Sequence, residues 1–309
     1  MNLKISTSYM FDRATESMTT AQGRLSHTQA QLAASKQVLS PSDAPDQAAA
    51  IDRLRQEIDH QNGHAATLQT ALQRYTAEET GLGSAVQVVT RIRELATQAG
   101  NDSLSGDDRK AVAVELKALR DQLVTVGNTR DDSGNYLFSG TRVTTPAFAV
   151  DVNGKVVYQG DQTQTRVPAG VERTVLYTRS GTDIYSRVVR TDDQGNKTSV
   201  GFFDALDDLI ASAQGNDGNG IRRSMGETDQ MLANLTLAQA QCGSDQQVVQ
   251  SQSDVIAQTN LRLKSTLSSI EDLDYTEAVA RMNKEMTALQ AAMASFGKVA
   301  GMSLFDHLN

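Results

Sequence analysis

The chain has 309 residues, enough for two domains, and its 37 acidic side chains against 29 basic ones give a formal charge of −8, which with no basic patch interleaved with aromatics argues against nucleic acid as a partner. Hydrophobic residues make up 39% and aromatic ones 5%, with no Trp, which is thin for one large core and suits long helices packed through Leu, Ala, Met and Val. The single cysteine, Cys242, excludes an internal disulfide. There is no transmembrane run, and residues 1–11 lack the apolar core and cleavage site of a secretory signal.

Residues 1–39 read as a short polar lead followed by a helix. Phe11, Met18, Leu25, Leu32 and Leu39 fall at seven-residue intervals, the repeat of a coiled-coil seam. Ser, Thr, Gln and Ala fill the other faces, so this helix is marginal alone and needs packing to form. Gly23 weakens it by up to about 1 kcal/mol. Ser40-Pro41-Ser42-Asp43-Ala44-Pro45-Asp46 must end it, because each proline removes an N–H and restricts its predecessor. Asp43 or Ser42 is placed to cap the next helix, with Pro45 in its first turn.

Residues 46–99 carry the longest periodic run, with Ile51, Leu54, Ile58, Ala65, Leu68, Leu72, Tyr75, Leu82, Val86 and Val89 on one stripe. At 1.5 Å per residue that helix is on the order of 80 Å long, a length found in rods and bundles. A turn over 100–108, with Ser105 or Asp107 as cap, leads to a helix at 108–126 striped by Val112, Leu116, Leu119, Leu123 and Val126. From Tyr136 to about Val200 β-branched residues replace the helical period. Segments 147–152 and 155–159 flank Asn153-Gly154, a hairpin signal of type I′. Further strands are expected at 163–167, 174–178 and 184–190. Helix returns at 202–212 and, after a Gly/Asn/Asp loop at 215–220, from 221 onward, with Gly243-Ser244 as a candidate interruption or kink. After a dip at 271–274 the last helix carries Val279, Met282, Met286, Leu289, Met293, Phe296 and Ala300 at alternating steps of three and four.

The fold class expected is mainly α with a β-rich insert: an elongated, discontinuous helical rod or coiled-coil bundle formed by both chain ends, plus a small β domain in the middle. Residues 1–45 and 274–309 are expected to form an inner assembly domain. Residues 46–140 and 201–273 form the helical rod, and 141–200 an outer β-rich domain.

No constellation of residues points to catalysis. His60 and His64 have the helical spacing of a metal pair, but no acidic or cysteine ligand accompanies them, and a solvated helix face is the commoner meaning. The Asp/Asn/Gly runs at 131–135, 192–196 and 215–220 lack the twelve-residue calcium pattern and read as turns. Gly81-Leu82-Gly83 follows no strand and makes no phosphate loop. No enzyme, cofactor or metal is expected. The methionines at 282, 286 and 293 suit a seam shared between subunits, because methionine adapts to imperfect holes.

Four stretches resemble the flagellin superfamily and, within it, its hook-associated members. These are Met1-Asn2-Leu3-Lys4-Ile5-Ser6-Thr7 with Phe11, residues 35–45 around Pro41-Ser42-Asp43-Ala44-Pro45, Asn135-Tyr136-Leu137-Phe138-Ser139-Gly140, and residues 272–280 followed by 289–292 and Ser303-Leu304-Phe305-Asp306. The resemblance is good over both helical flanks and weak over the β insert. It implies a structural protein of the bacterial flagellum that polymerises as a ring at the junction between hook and filament. It further implies export through the flagellar type III channel without a cleaved signal, and an export chaperone beforehand. The implied neighbours are the first hook-associated protein below and flagellin or the filament cap above. The alternative is a minor flagellin that builds the filament itself, against which the Pro-Ser-Asp-x-Pro turn and the Ser-Leu-Phe-Asp tail argue. A cytosolic coiled-coil scaffold would satisfy the heptads but not the flagellin-like ends. The expected partner-binding residues are the two terminal stripes together with Leu304 and Phe305, and the structural turn is Pro41, Ser42, Asp43 and Pro45.

Overall fold

The computed structural model describes residues 2–170, 173–191 and 194–305, with side chains between 9 and 298. Its elements are α1 (Asn2–Ala34), α2 (Pro45–Ala99), α3 (Gly106–Gly127), β1 (Phe148–Val150), β2 (Val156–Tyr158), β3 (Arg166–Pro168), β4 (Thr174–Leu176), α4 (Gly181–Ile184), β5 (Val188–Thr191), β6 (Lys197–Val200), α5 (Phe202–Gln214), α6 (Gly218–Glu271) and α7 (Tyr275–Phe305). Helix accounts for 69% of the chain, so the mainly α class with a strand-containing middle holds. Two compact units result. One draws on both chain ends, up to His60 and from Thr259 onward; the other is Gln61–Gln258.

In the first unit α1 packs along α7. Among the described residues its buried apolar side chains are Ile51, Ile58, Leu273 and Ala278. In the second unit one hydrophobic cluster runs without a break from helices into the strand region. Leu68, Leu82 and Ile92 of α2 join Leu116 and Leu123 of α3, Leu206 and Leu209 of α5, and Met231, Leu235 and Val249 of α6. Phe138, Phe148, Ile184, Tyr185 and Val188 complete it from the middle of the chain. Phe148 lies at the centre of an aromatic group, with ring centroids 5.5 Å from Tyr158, 5.0 Å from Tyr185 and 5.2 Å from Phe203. Two glycines make room for it. A Cβ on Gly127 would stand 2.7 Å from the Phe148 ring, and one on Gly181 would stand 2.9 Å from it.

The strands form three separate antiparallel hairpins, β1–β2, β3–β4 and β5–β6. The β1–β2 register sets Phe148 opposite Tyr158 and Val150 opposite Val156. The loop between them is not the type I′ turn expected from Asn153-Gly154. Only Gly154 has positive φ (+79°), whereas type I′ requires it at both central residues. The cause is Asp151, whose Oδ1 accepts the N–H groups of Asn153 and Lys155 (2.8 Å each) while its carbonyl accepts that of Gly154 (3.0 Å). This is a three-residue loop, a type I turn closed by a glycine bulge. Asp131 builds the same loop at 131–135, receiving Ser133 and Asn135 on its carboxylate and Gly134 (φ +82°) on its carbonyl.

Three further features differ from expectation. Residues 184–190 are not one strand, because Ser180 caps the short helix α4 by accepting the Thr182 N–H (3.2 Å), and extended backbone resumes only at Val188. Strand β6 pairs antiparallel with β5 and completes a hairpin where one strand alone was expected. Helix α6 runs through Gly243-Ser244 without a break.

Candidate assembly surface

Helix α1 ends at Ala34, five residues short of expectation, because Ser35 turns left-handed (φ +59°). Leu39 therefore leaves the helical stripe and lies exposed in the turn. The chain there is pinned to the junction between α6 and α7. Gln37 N–H donates to Glu271 O (2.8 Å), Leu273 N–H donates to Ser35 O (3.2 Å), and the Ser35 and Tyr275 hydroxyls bond to each other. Glu271, 8% exposed, receives Lys36 and the Arg55 guanidinium (2.6 Å). Burial works against its charge, but the hydrogen bonds from Lys36 and Arg55 outweigh it and hold the carboxyl below the usual range.

The proline turn is clamped from inside. Asp43 accepts the N–H groups of Leu39 (3.0 Å) and Ser40 (2.8 Å), and its own N–H donates to Ser40 O (3.0 Å). The Asp43 carboxylate thus holds the turn around Pro41 rather than capping α2, and the Ser40 amide is the main reason its pKa is lowered. Ser42 bonds to the Ser40 hydroxyl (2.7 Å), and Pro45 is the first residue of α2. Leu39, Val38 and Pro41 line a groove of about 410 Å³ with Ala48, Ile51 and Arg55.

The two terminal helices run antiparallel. At one end Ser35 meets Tyr275, and at the other Phe11 stands 5.0 Å from Phe296, ring centre to ring centre. From α1 the seam takes Ala14, Met18, Ala21, Leu25 and Leu32, half-buried, with Thr28 and Gln31 fully buried. From α7 it takes buried Ala278 and half-buried Met282, Glu285, Leu289, Ala292 and Phe296. Thr28, Gln31 and Glu285 were not foreseen, because polar side chains do not mark an apolar repeat.

The single apolar stripe expected on α7 is two rows. Met282, Leu289 and Phe296 face the seam. Val279, Met286 and Met293 form a parallel row that stays 42%, 44% and 47% exposed. At 100° per residue the rows are about 60° apart around the helix. Tyr9 and Met10 of α1 are exposed as well. Leu304 and Phe305 fall in the last turn of α7, and their side chains, like that of Ala300, lie outside the described residues. Among the described residues no three His, Cys, Asp or Glu side chains come together as a metal set, and no helix is long and apolar enough to cross a membrane.

Family comparison agrees with this architecture. The family model described as the bacterial flagellin N-terminal helical region matches residues 5–143, and that for the C-terminal helical region matches 225–308. This chain belongs to the flagellin family. The two matched stretches of this flagellin-family chain carry α1–α3 and most of α6 with α7, and leave the strand region and α5 almost entirely between them. The chain is 25% identical over 317 aligned positions to flagellar hook-associated protein 3 of Salmonella typhimurium and equally to that of Escherichia coli, covering 98% of this chain and 99% of each relative. Among solved structures, flagellar hook associated protein-3 from Legionella pneumophila is similar in fold, with a TM-score of 0.65 at 18% identity over 71% of this chain and 98% of that one.

Proposed function

We propose that this chain is a structural protein of the bacterial flagellum that polymerises at the junction between hook and filament and adapts one to the other. The observation that carries this reading is the end-to-end likeness to hook-associated protein 3, which spans 98% of the chain, strand region included. The exposed row Val279, Met286 and Met293 supports it, since three apolar side chains on one face of α7 are available to a neighbouring subunit. Residues 1–45 and 274–309 make the contacts that polymerise, 46–140 and 201–273 carry the helical body, and 141–200 is the variable insert. The role is geometric and not catalytic. The partners are other copies of the chain in a ring, the first hook-associated protein, flagellin and the filament cap, with an export chaperone before secretion through the flagellar type III channel. A seam of half-buried residues with two buried polar side chains suits a chain that must unfold to pass that channel.

Gene deletion with electron microscopy and an immunoblot of the medium tests this. Bare hooks with full-length flagellin shed outside are expected. Normal filaments on normal hooks would leave the chain as a minor flagellin or a scaffold.

A further inference from the structure

A cluster of charges lies inside the second unit. Glu78 of α2 is completely buried. Its Oε2 accepts Arg179 Nε at 3.2 Å and stands 3.8 Å from the Cys242 thiol of α6, while its Oε1 is 3.6 Å from Arg74 Nε and makes no hydrogen bond. Arg179, in the segment between β4 and α4, also binds Asp245 of α6. Arg74 of α2, 3% exposed, binds Asp131 (3.2 Å) and the Leu137 carbonyl (2.8 Å), and lies over the Tyr177 ring. Tyr75 of α2 donates to the Leu176 carbonyl.

Among the described residues, two guanidinium groups thus face three carboxylates, those of Glu78, Asp131 and Asp245. Asp245 is 40% exposed, so water can carry its charge. Glu78 has no such outlet. An excess negative charge inside a low-dielectric site is relieved most cheaply by a proton on the most buried carboxylate. The Oε1 oxygen, without a hydrogen bond, is the one placed to take it.

We infer that Glu78 is a proton-binding site, and that proton uptake there neutralises the charge cluster and tightens the strand region against α2 and α6. Burial pushes the Glu78 carboxyl up to about 7, against the pull of Arg74 and Arg179, which sets the titration near neutrality. The protonated form is then favoured by the folded chain over the unfolded one, whose glutamates titrate near 4.5. The inference stands on this geometry and not on the junction reading.

Infrared difference spectra of the full chain, taken from about pH 5.5 to about pH 8.5, read the site directly. A protonated-carboxyl stretch that titrates near neutrality in the wild type and is missing from Glu78→Gln is expected. A wild-type spectrum with no such band in that range overturns the inference, as does a band that survives in Glu78→Gln. Urea unfolding supplies a second readout. Between about pH 5 and pH 6.5 the unfolding constant of the wild type should fall by close to tenfold for each unit of acidification, relative to Glu78→Gln. Equal slopes would overturn the inference. Should Glu78→Gln not fold, Asp245→Asn decides. It leaves Arg179 to Glu78 alone and is expected to move the midpoint of the band downward, whereas an unmoved midpoint contradicts the cluster.

Discussion

Gly127 shows how closely single positions are specified. It ends α3 where the Phe148 ring lies across the helix terminus, and a methyl there would meet the ring 2.7 Å away. Gly127→Ala should destabilise the second unit by about 1–3 kcal/mol, seen as a lower urea midpoint with an unchanged slope. Gly154, with open space around its Cα, has a different reason for being glycine, its positive φ. Neither reason is visible in the sequence as such: Asn153-Gly154 announced a turn, but the side chain of Asp151 chose which turn. Glu271 was equally hidden. It read as part of a helix-breaking dip, whereas it is the carboxylate that receives Lys36 and Arg55. Because those cations are nearly half exposed, Glu271→Gln should cost only about 1 kcal/mol of stability in the first unit. An unfolding titration that shows no loss would remove the carboxylate from that role.

At the scale of elements, helices were legible because their apolar period is long and repeated. α2 and α3 lie within two residues of expectation, and the break before α7 falls where Asp272 and Asp274 interrupt the stripe. What periodicity could not do was separate the two rows of α7, since steps of three and four satisfy either face. The rows make distinct predictions. Leu289→Asp or Phe296→Asp should leave most far-UV helicity in place yet abolish assembly at the junction, because each puts a charge into the α1–α7 seam. Met286→Ser should change the unfolding free energy of the isolated protein by no more than about 0.5 kcal/mol and still weaken polymerisation. A Met286→Ser subunit that polymerises as readily as the wild type would show the exposed row to be solvated in the assembly. The strands were less legible. Strands of three or four residues are too short for alternation to fix their ends, and only some of their apolar side chains, among them Phe148, Val175 and Val188, are buried in the shared core, while Val150, Val157 and Val189 stay exposed.

At the scale of the whole molecule, two buried carboxylates, one in each unit, respond to acid in opposite senses. Glu271, held below its ordinary range, contributes stability above about pH 4.5 that is lost as pH falls further through its folded value. Glu78, raised to about 7, makes the second unit more stable as pH falls from about 7 toward 4.5. Mild acidification should therefore firm the second unit before stronger acid loosens the first. Hydrogen exchange followed residue by residue across that range will show whether protection rises around Tyr75 and Cys242 before it falls around Ser35 and Tyr275.

Cys242 is the single thiol of the chain, fully enclosed by α2 and α6, with burial and the neighbouring Glu78 pushing its pKa up to about 12. A thiol so placed reacts with a labelling reagent only during excursions in which the second unit opens. The protein thus carries its own stopwatch. The rate at which a maleimide or disulfide reagent consumes Cys242 counts those excursions in the free subunit, and the same rate in the assembled flagellum counts how far neighbours suppress them. On the proposed export route the chain is loose for passage and rigid in place, and that clock should then run quickly before assembly and slowly after it.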